Sequence, residues 1–344
     1  MESLLESCDA ADLAPALQDL GVSSVEEISV CEVADLVSDL SISKEKAEEI
    51  VDKAREAHVF EKRKAAITST WKAVEDSLNV EATKLFYKRL FEQYPSVIPL
   101  FGKADMDAQA EKLFKTVKLA VSYLEKVDDL IPILEDLGER HSTAYKAERE
   151  HYDAVGETLV WTLKTGLGDA WTDDVADAWT WVYGVIATTM ADAGEKAVFE
   201  SRKAAIDRTW KAVEDSLGVE ATKLFYKRLF ETHPAVVPMF THADMDSQAE
   251  KLLKTVGLAV DYLRDIDGLI PILEELGEHH GLEWGVEREM YDAVGETLLW
   301  TLKTGLGEEW TDEVADAWTW VYGIIAKTMA DAGQKVIDEK KTDT

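Results

Sequence analysis

The sequence predicts an all-α fold, and three observations carry that expectation. Apolar residues recur at three- and four-residue spacing along most of the 344 residues, the pattern that lines one face of a helix. Nowhere do apolar and polar residues alternate for long enough to suggest a strand. A block of sequence also occurs twice: VFEKRKAAI beginning at Val59 returns as VFESRKAAI beginning at Val198, a shift of 139 residues that holds without a gap to the C-terminal region. Such a period exceeds the roughly 20–50 residues of a solenoid unit, so each copy is a whole helical domain.

Ahead of the copies, LAPALQDLGVSSVEEISVCEVADLVSDLSISKEKAEEIVDKA breaks into short helices at Gly21 and at Ser-rich turns. Leu13, Leu17, Leu20, Val25, Ile28, Leu36, Leu40, Ile42 and Ile50 form its expected core. Over nearly its whole length this segment resembles a sterile alpha motif, a five-helix interaction module, with its final helix running into the first helix of copy one. The resemblance implies association with a second copy of the chain or with another protein; a capping bundle with no partner is the alternative. The expected domains are therefore 1–58, 59–197 and 198–338.

Within copy one, a long first helix is expected up to Leu78 and a second from about Glu81 to Tyr94. Pro95 then opens a short turn, and four further helices end near Ala193. From Ala110 to Glu125, Leu113, Val117, Ala120, Val121 and Leu124 mark one buried stripe. Pro95, Pro99 and Pro132 pair with Pro234, Pro238 and Pro271 under the shift, so both copies share their expected helix breaks. The join, TTMADAGEKAVFESRKAA, holds one glycine, Gly194, and no proline, which favours a nearly continuous, semi-rigid helix. Trp179, Trp181 and Tyr183, repeated as Trp318, Trp320 and Tyr322, read as core packing of the last helix of each copy.

A formal charge of −31 argues against nucleic acid and anionic membranes as partners, because phosphate binding needs clustered Lys and Arg. A basic redox partner is the macromolecule that would use so acidic a surface. MESLLESCDA lacks the basic start and apolar run of a secretory signal, and no stretch approaches a membrane span, so a cytoplasmic location is expected. Cys8 and Cys31 lie outside any CxxC pattern and read as buried or free thiols.

Of seven histidines, only His141 and His280 coincide under the shift. Each ends an apolar helix, LIPILEDLGERH or LIPILEELGEHH. A neutral imidazole facing an apolar space suits haem iron, its basicity set by the hydrogen bond at its other nitrogen. The carbonyl of Leu137 or Leu276, four residues earlier, is the expected acceptor. Taken singly, such a histidine is more often a packed or surface residue.

The stretch LFYKRLFEQYPSVIPLFGKADMDAQAEKLF, followed by LGERH, resembles the globin domain of flavohaemoglobins and related bacterial and protist globins, and the likeness extends over nearly all of both copies. The resemblance implies two globin folds in tandem, each holding one haem b, with His141 and His280 as the iron ligands. It further implies that Tyr87 and Gln109 in copy one, and Tyr226 and Gln248 in copy two, face the bound gas. Phe101 and Phe240 would wedge the porphyrin, and Leu113 and Leu252 would pack over it. The spacing of 32 residues from glutamine to histidine in both copies fits that family. Dioxygen on ferrous iron gains negative charge, so a phenol and an amide aimed at it act as charge-assisted donors. Each is worth about 1.5–3 kcal/mol, which points to tight binding and slow release.

Tyr152 and Tyr291 match a tyrosine that, in the flavohaemoglobin pattern, polarises the axial histidine together with a glutamate. The glutamate position instead falls on Gly194 and Gly333, with Glu195 and Gln334 adjacent. No Gly-rich dinucleotide fingerprint occurs either. Three classes of function stay open: binding of dioxygen or another diatomic gas for transport, storage or scavenging; nitric oxide dioxygenation or peroxidase-like turnover with a separate reductase; and gas sensing or scaffolding through the N-terminal module.

Overall fold

The computed structural model describes residues 1–77, 80–102, 104–216 and 218–342. Among these no strand occurs, as the all-α reading requires. Two compact units divide the chain, Met1–Ala197 and Val198–Thr344.

The first unit opens with α1 (Glu2–Ser7), α2 (Ala14–Asp19), α3 (Val25–Ser29), α4 (Val33–Leu40) and the long α5 (Lys44–Ser77). Ser24 starts α3 through a capping box: its hydroxyl accepts from the Glu27 N–H at 3.1 Å, and the Glu27 carboxylate accepts from the Ser24 N–H at 3.0 Å. That exchange satisfies two end donors of a helix too short to persist alone. Leu17, Ile28, Leu36 and Ile50 are buried, with Leu13, Val25, Leu40 and Ile42 packed at their edge. Leu20 departs from expectation and is 47% exposed. It sits at the end of α2 where the chain turns at Gly21, and the core is filled instead by Leu5, Cys8, Ala47 and Val51. Both thiols are free, Cys8 buried and Cys31 half-buried.

The same α5 enters copy one and is described to Ser77, so its expected end at Leu78 lies outside the described residues. There follow α6 (Val80–Gln93), α7 (Ile98–Phe101), α8 (Met106–Ser122), α9 (Val127–Tyr145), α10 (Arg149–Leu167) and α11 (Asp173–Ser216). Pro95 opens a 3-10 turn, Pro95–Val97, and Pro99 lies in the first turn of α7, where a missing N–H is harmless. Pro132 does not break a helix. It lies within α9, where its missing N–H deprives one carbonyl, that of Asp128 in the first turn.

Copy two repeats the order: α12 (Gly218–Thr232), a 3-10 turn Pro234–Phe240, α13 (Met245–Asp261), α14 (Ile266–Trp284), α15 (Arg288–Leu306) and α16 (Asp312–Thr342). Gly168 and Gly307 close α10 and α15 at φ 51° and 55°, a conformation that costs other residues more. The expected stripe is seen in α8 and beyond, with Val117, Ala120 and Leu124 buried and Leu113 and Val121 against the core.

Trp179 and Trp318 are the largest wholly buried side chains. Each indole N–H donates to a threonine hydroxyl on the first helix of its copy, Trp179 to Thr70 at 3.0 Å and Trp318 to Thr209 at 2.9 Å. Burial therefore leaves no polar atom of the ring unmet. Tyr183 and Tyr322 donate to the Tyr152 and Tyr291 carbonyls, which pins the last helix of each copy to the tenth and fifteenth.

Candidate functional site

Helix α9 delivers His141 near its C-terminal end, where Lys146 at φ 59° reverses the chain and the Ala147 N–H donates to the His141 carbonyl at 3.0 Å. In copy two Gly285 takes the same left-handed role, and the Val286 N–H donates to the His280 carbonyl at 3.2 Å. The imidazoles are held alike. His141 Nδ1 lies 2.6 Å from the Leu137 carbonyl oxygen, and His280 Nδ1 lies 2.6 Å from that of Leu276. A carbonyl can only accept, so the proton sits on Nδ1 and Nε2 keeps its lone pair. Burial holds the His280 imidazole below its usual range, opposed by that backbone hydrogen bond.

On the same side lie Tyr152, on α10, and Tyr291, on α15, each with its ring centroid 6.4 Å from the histidine ring. They are only 9% and 7% exposed, and their hydroxyls meet no hydrogen-bond partner among the described residues. Burial pushes both phenols up to about 12, with Ser142 acting against the rise at Tyr152. The sequence reading missed Tyr145 and Trp284, whose rings stand nearly edge-on to His141 and His280 at 5.7 Å and 4.9 Å. Their position four residues after each histidine was the available signal.

Tyr87 on α6 and Phe101 on α7 meet edge to face at 5.5 Å, and Phe91 joins them at 5.8 Å and 5.3 Å. Copy two reproduces the trio as Tyr226, Phe230 and Phe240, with 5.5 Å between Tyr226 and Phe240. Burial pushes both tyrosine phenols up to about 12, so each stays a protonated donor at neutral pH. The Tyr226 hydroxyl donates to the Gln248 carbonyl at 3.4 Å, which brings α12 and α13 together at two of the expected residues.

Gln109 and Gln248 are half-buried, each four residues beyond the aspartate that caps its helix, Asp105 or Asp244. Asp105 accepts from the Asp107 and Ala108 N–H groups and so fixes where α8 begins. Leu113, one turn beyond Gln109, lines an apolar cavity of about 20 Å³ with Phe86, Ala110, Phe114, Val117, Leu159 and Thr162. Leu252 packs against the core of copy two.

A sequence model of the globin family matches residues 84–190 and 223–329. The chain belongs to the globin family. Both matched stretches begin in the second helix of a copy, so the globin model takes in the histidine and aromatic residues above and leaves the first helix unmatched. The chain is similar to proteins called flavohemoprotein: 29% identical over 124 residues to that of Halalkalibacterium halodurans and 32% over 107 residues to that of Bacillus subtilis. It is also 33% identical over 130 residues to flavohemoprotein B of Dictyostelium discoideum. These alignments take in 36%, 30% and 36% of this globin and only 30%, 27% and 29% of the relatives, so less than a third of each relative's length is shared.

Among the described residues no cluster of three or more His, Cys, Asp or Glu side chains is placed to hold a metal ion. In each globin unit one imidazole, that of His141 or His280, is held through Nδ1 to a main-chain carbonyl and keeps its Nε2 lone pair. No helix among them is long and apolar enough to cross a membrane.

Proposed function

We propose that the chain is a haem protein that binds dioxygen at two sites, with His141 and His280 as axial ligands. The carrying observation is the pairing of the His141 and His280 imidazoles with a carbonyl through Nδ1, which leaves the Nε2 lone pair of each. A lone imidazole suits a metal whose other ligands come with a cofactor. The surroundings also suit an aromatic macrocycle: Phe101 and Leu113 in the first unit, and Phe240 and Leu252 in the second, present apolar surface from helices other than that of the histidine. Haem b, one per unit, would supply reversible coordination of a diatomic gas.

What the chain's own residues do follows from their protonation. Tyr87 and Tyr226 stay neutral, donate a hydrogen bond and favour a ligand that carries negative charge. Gln109 and Gln248 would add an amide donor. Leu113, Leu252 and the neighbouring phenylalanines exclude water, which strengthens each polar contact.

Absorption spectra of the haem-loaded ferrous and oxygenated forms test this reading. A Soret band that falls to about half its intensity on removing either histidine is expected. Protein that stays colourless after loading with haem would end it.

Nitric oxide dioxygenation with a separate reductase is the second reading, favoured by the likeness to proteins named flavohemoprotein. Repeated turnovers on mixing the oxygenated protein with nitric oxide and a reductase would support it. Residues 1–58 would act as a sterile alpha motif-like interaction module, joining two chains or a chain and a partner, and residues 59–197 and 198–338 would be the two gas-binding domains. A sensor acting through that module would sediment differently with and without gas. We place all of these roles in the cytoplasm.

A further inference from the structure

The two copies differ at the residue that opens the turn leading to each wedge phenylalanine. Tyr94 precedes the turn Pro95–Val97 and His233 precedes the turn Pro234–Phe240, with nearly the same backbone: φ −129° and ψ 68° against φ −128° and ψ 66°. These positions coincide under the 139-residue shift, as do Glu157 on α10 and Glu296 on α15. In copy one the Tyr94 hydroxyl donates to the Glu157 carboxylate. In copy two His233 Nε2 stands 3.6 Å from the Glu296 carboxylate, too far for a hydrogen bond, and that nitrogen is buried with no partner among the described residues.

The hydrogen bond to Glu157 raises the Tyr94 phenol above its usual range, so this donor keeps its proton at neutral pH. An imidazole instead changes charge between about pH 5 and pH 8. Once protonated it donates from both nitrogens, and the orphaned Nε2 gains a charge-assisted bond to the carboxylate it faces. Among the described residues Glu296 is the charged group within ion-pair reach of His233. The turn Pro234–Phe240 has no ionisable side chain. On α12, the Arg228 guanidinium lies over the Trp300 ring at 4.8 Å, and Glu231 is exposed. From α13, Asp246 faces Lys223 at the other end of α12, 3.9 Å away. His242, past the far end of the turn, is exposed.

We propose that His233 and Glu296 form a proton-driven latch on the aromatic corner of the second unit, so that the two gas sites of one chain respond differently to pH. The His233 N–H donates to the Leu229 carbonyl at 2.8 Å and its carbonyl accepts from Val236 at 3.1 Å, so drawing its ring to α15 seats the start of the turn. The end of that turn is Phe240, whose ring lies 5.5 Å from Tyr226 and 5.3 Å from Phe230. Acid therefore closes the corner of the second unit and slows release of the gas, whereas Tyr94 and Glu157 keep the first unit latched throughout. His233 acts through Phe240 and is a positioning residue. The latch stands on the side chains themselves; its effect on the gas rests on the haem reading above.

Two measurements on the full-length chain test the latch and its consequence separately. Amide hydrogen exchange, corrected for the intrinsic effect of pH and read on the turn Pro234–Phe240, is expected to slow between about pH 8 and pH 6, with no such change in the turn after Tyr94. The response should vanish in Glu296→Gln and in His233→Tyr, the latter protected at both pH values. Dioxygen release is then followed by stopped flow in His141→Ala, which leaves the second site alone, and in His280→Ala, which leaves the first. Release from the second site is expected to slow by about two- to fivefold over the same interval, the range an ion pair with an exposed partner supplies, and release from the first to stay level until Tyr94→His is added. Exchange that ignores pH, or a response that survives His233→Tyr, overturns the latch. A chain that takes up no haem overturns the haem reading and the effect on the gas, while exchange still reports whether the latch closes.

Discussion

His280 and Leu276 are joined across one turn of α14, with 2.6 Å from imidazole Nδ1 to carbonyl oxygen. His141 and Leu137 repeat it at 2.6 Å. An identical tautomer in both copies means that the two units present the same lone pair, and the consequences are open to measurement.

His141→Ala and His280→Ala are each expected to remove one of two haems. Pyridine haemochrome assay of the purified variants should give about half the haem of the parent chain, and free imidazole should restore the lost band. An unchanged haem content and coordination in both variants would show that other residues hold the iron.

Tyr87→Phe removes one charge-assisted donor while keeping the ring that packs on Phe91 and Phe101. Loss of about 1.5–3 kcal/mol from the bound state, with about 1.4 kcal/mol per factor of ten, speeds dioxygen release from the first unit by roughly tenfold or more. Stopped-flow displacement of dioxygen by carbon monoxide reads this directly, and an unaltered off-rate would remove Tyr87 from the pocket.

Gly138→Ala and Gly184→Ala should change stability in opposite directions. At Gly138 the new methyl group overlaps the Met190 backbone, whereas at Gly184, inside α11, it meets nothing within 4 Å. Overpacking costs about 1–3 kcal/mol, while replacing an unhindered helical glycine gains up to ~1 kcal/mol. Urea unfolding followed by helical circular dichroism should show a lower midpoint for the first variant and a higher one for the second.

Thr70→Val leaves the buried Trp179 N–H without its acceptor. A destabilisation of about 1–3 kcal/mol is expected, and Thr209→Val should do the same through Trp318. Equal stability of Thr70→Val and the parent would show that this hydrogen bond contributes nothing net.

Without haem, stability of the second unit should fall on acidification. Burial depresses the His280 imidazole below its ordinary value of 6.5, so the unfolded chain takes up a proton first. The contribution is present above the unfolded value and is lost as pH drops through the lower, folded one. His280→Gln should flatten the change in unfolding midpoint between about pH 8 and pH 5; a parallel profile would place the acid sensitivity elsewhere.

Much of this organisation was legible in the sequence because it depends on local rules. Helical spacing of Val117, Ala120 and Leu124, the prolines at 95 and 99, and the acceptor four residues before each histidine all concern neighbours along one helix. Pro132 misled because a proline early in a helix loses only one end bond, which no sequence pattern distinguishes from a break. Leu20 misled because a leucine at a helix end can face water when other side chains have filled the core. Tyr145 and Trp284 went unnoticed although their spacing from the histidines was available.

The sequence by itself determined the all-α character, the duplication and one matched imidazole per copy, since periodicity and internal repetition are properties of order along the chain. Only the tertiary structure decided that Gly194 and Gly333 lie against the histidine helix, that Glu195 turns to Arg149, and that the Tyr152 and Tyr291 rings are buried beside the imidazoles. Those facts depend on how closely two helices far apart in sequence approach, and that distance is set by side-chain volume at the crossing.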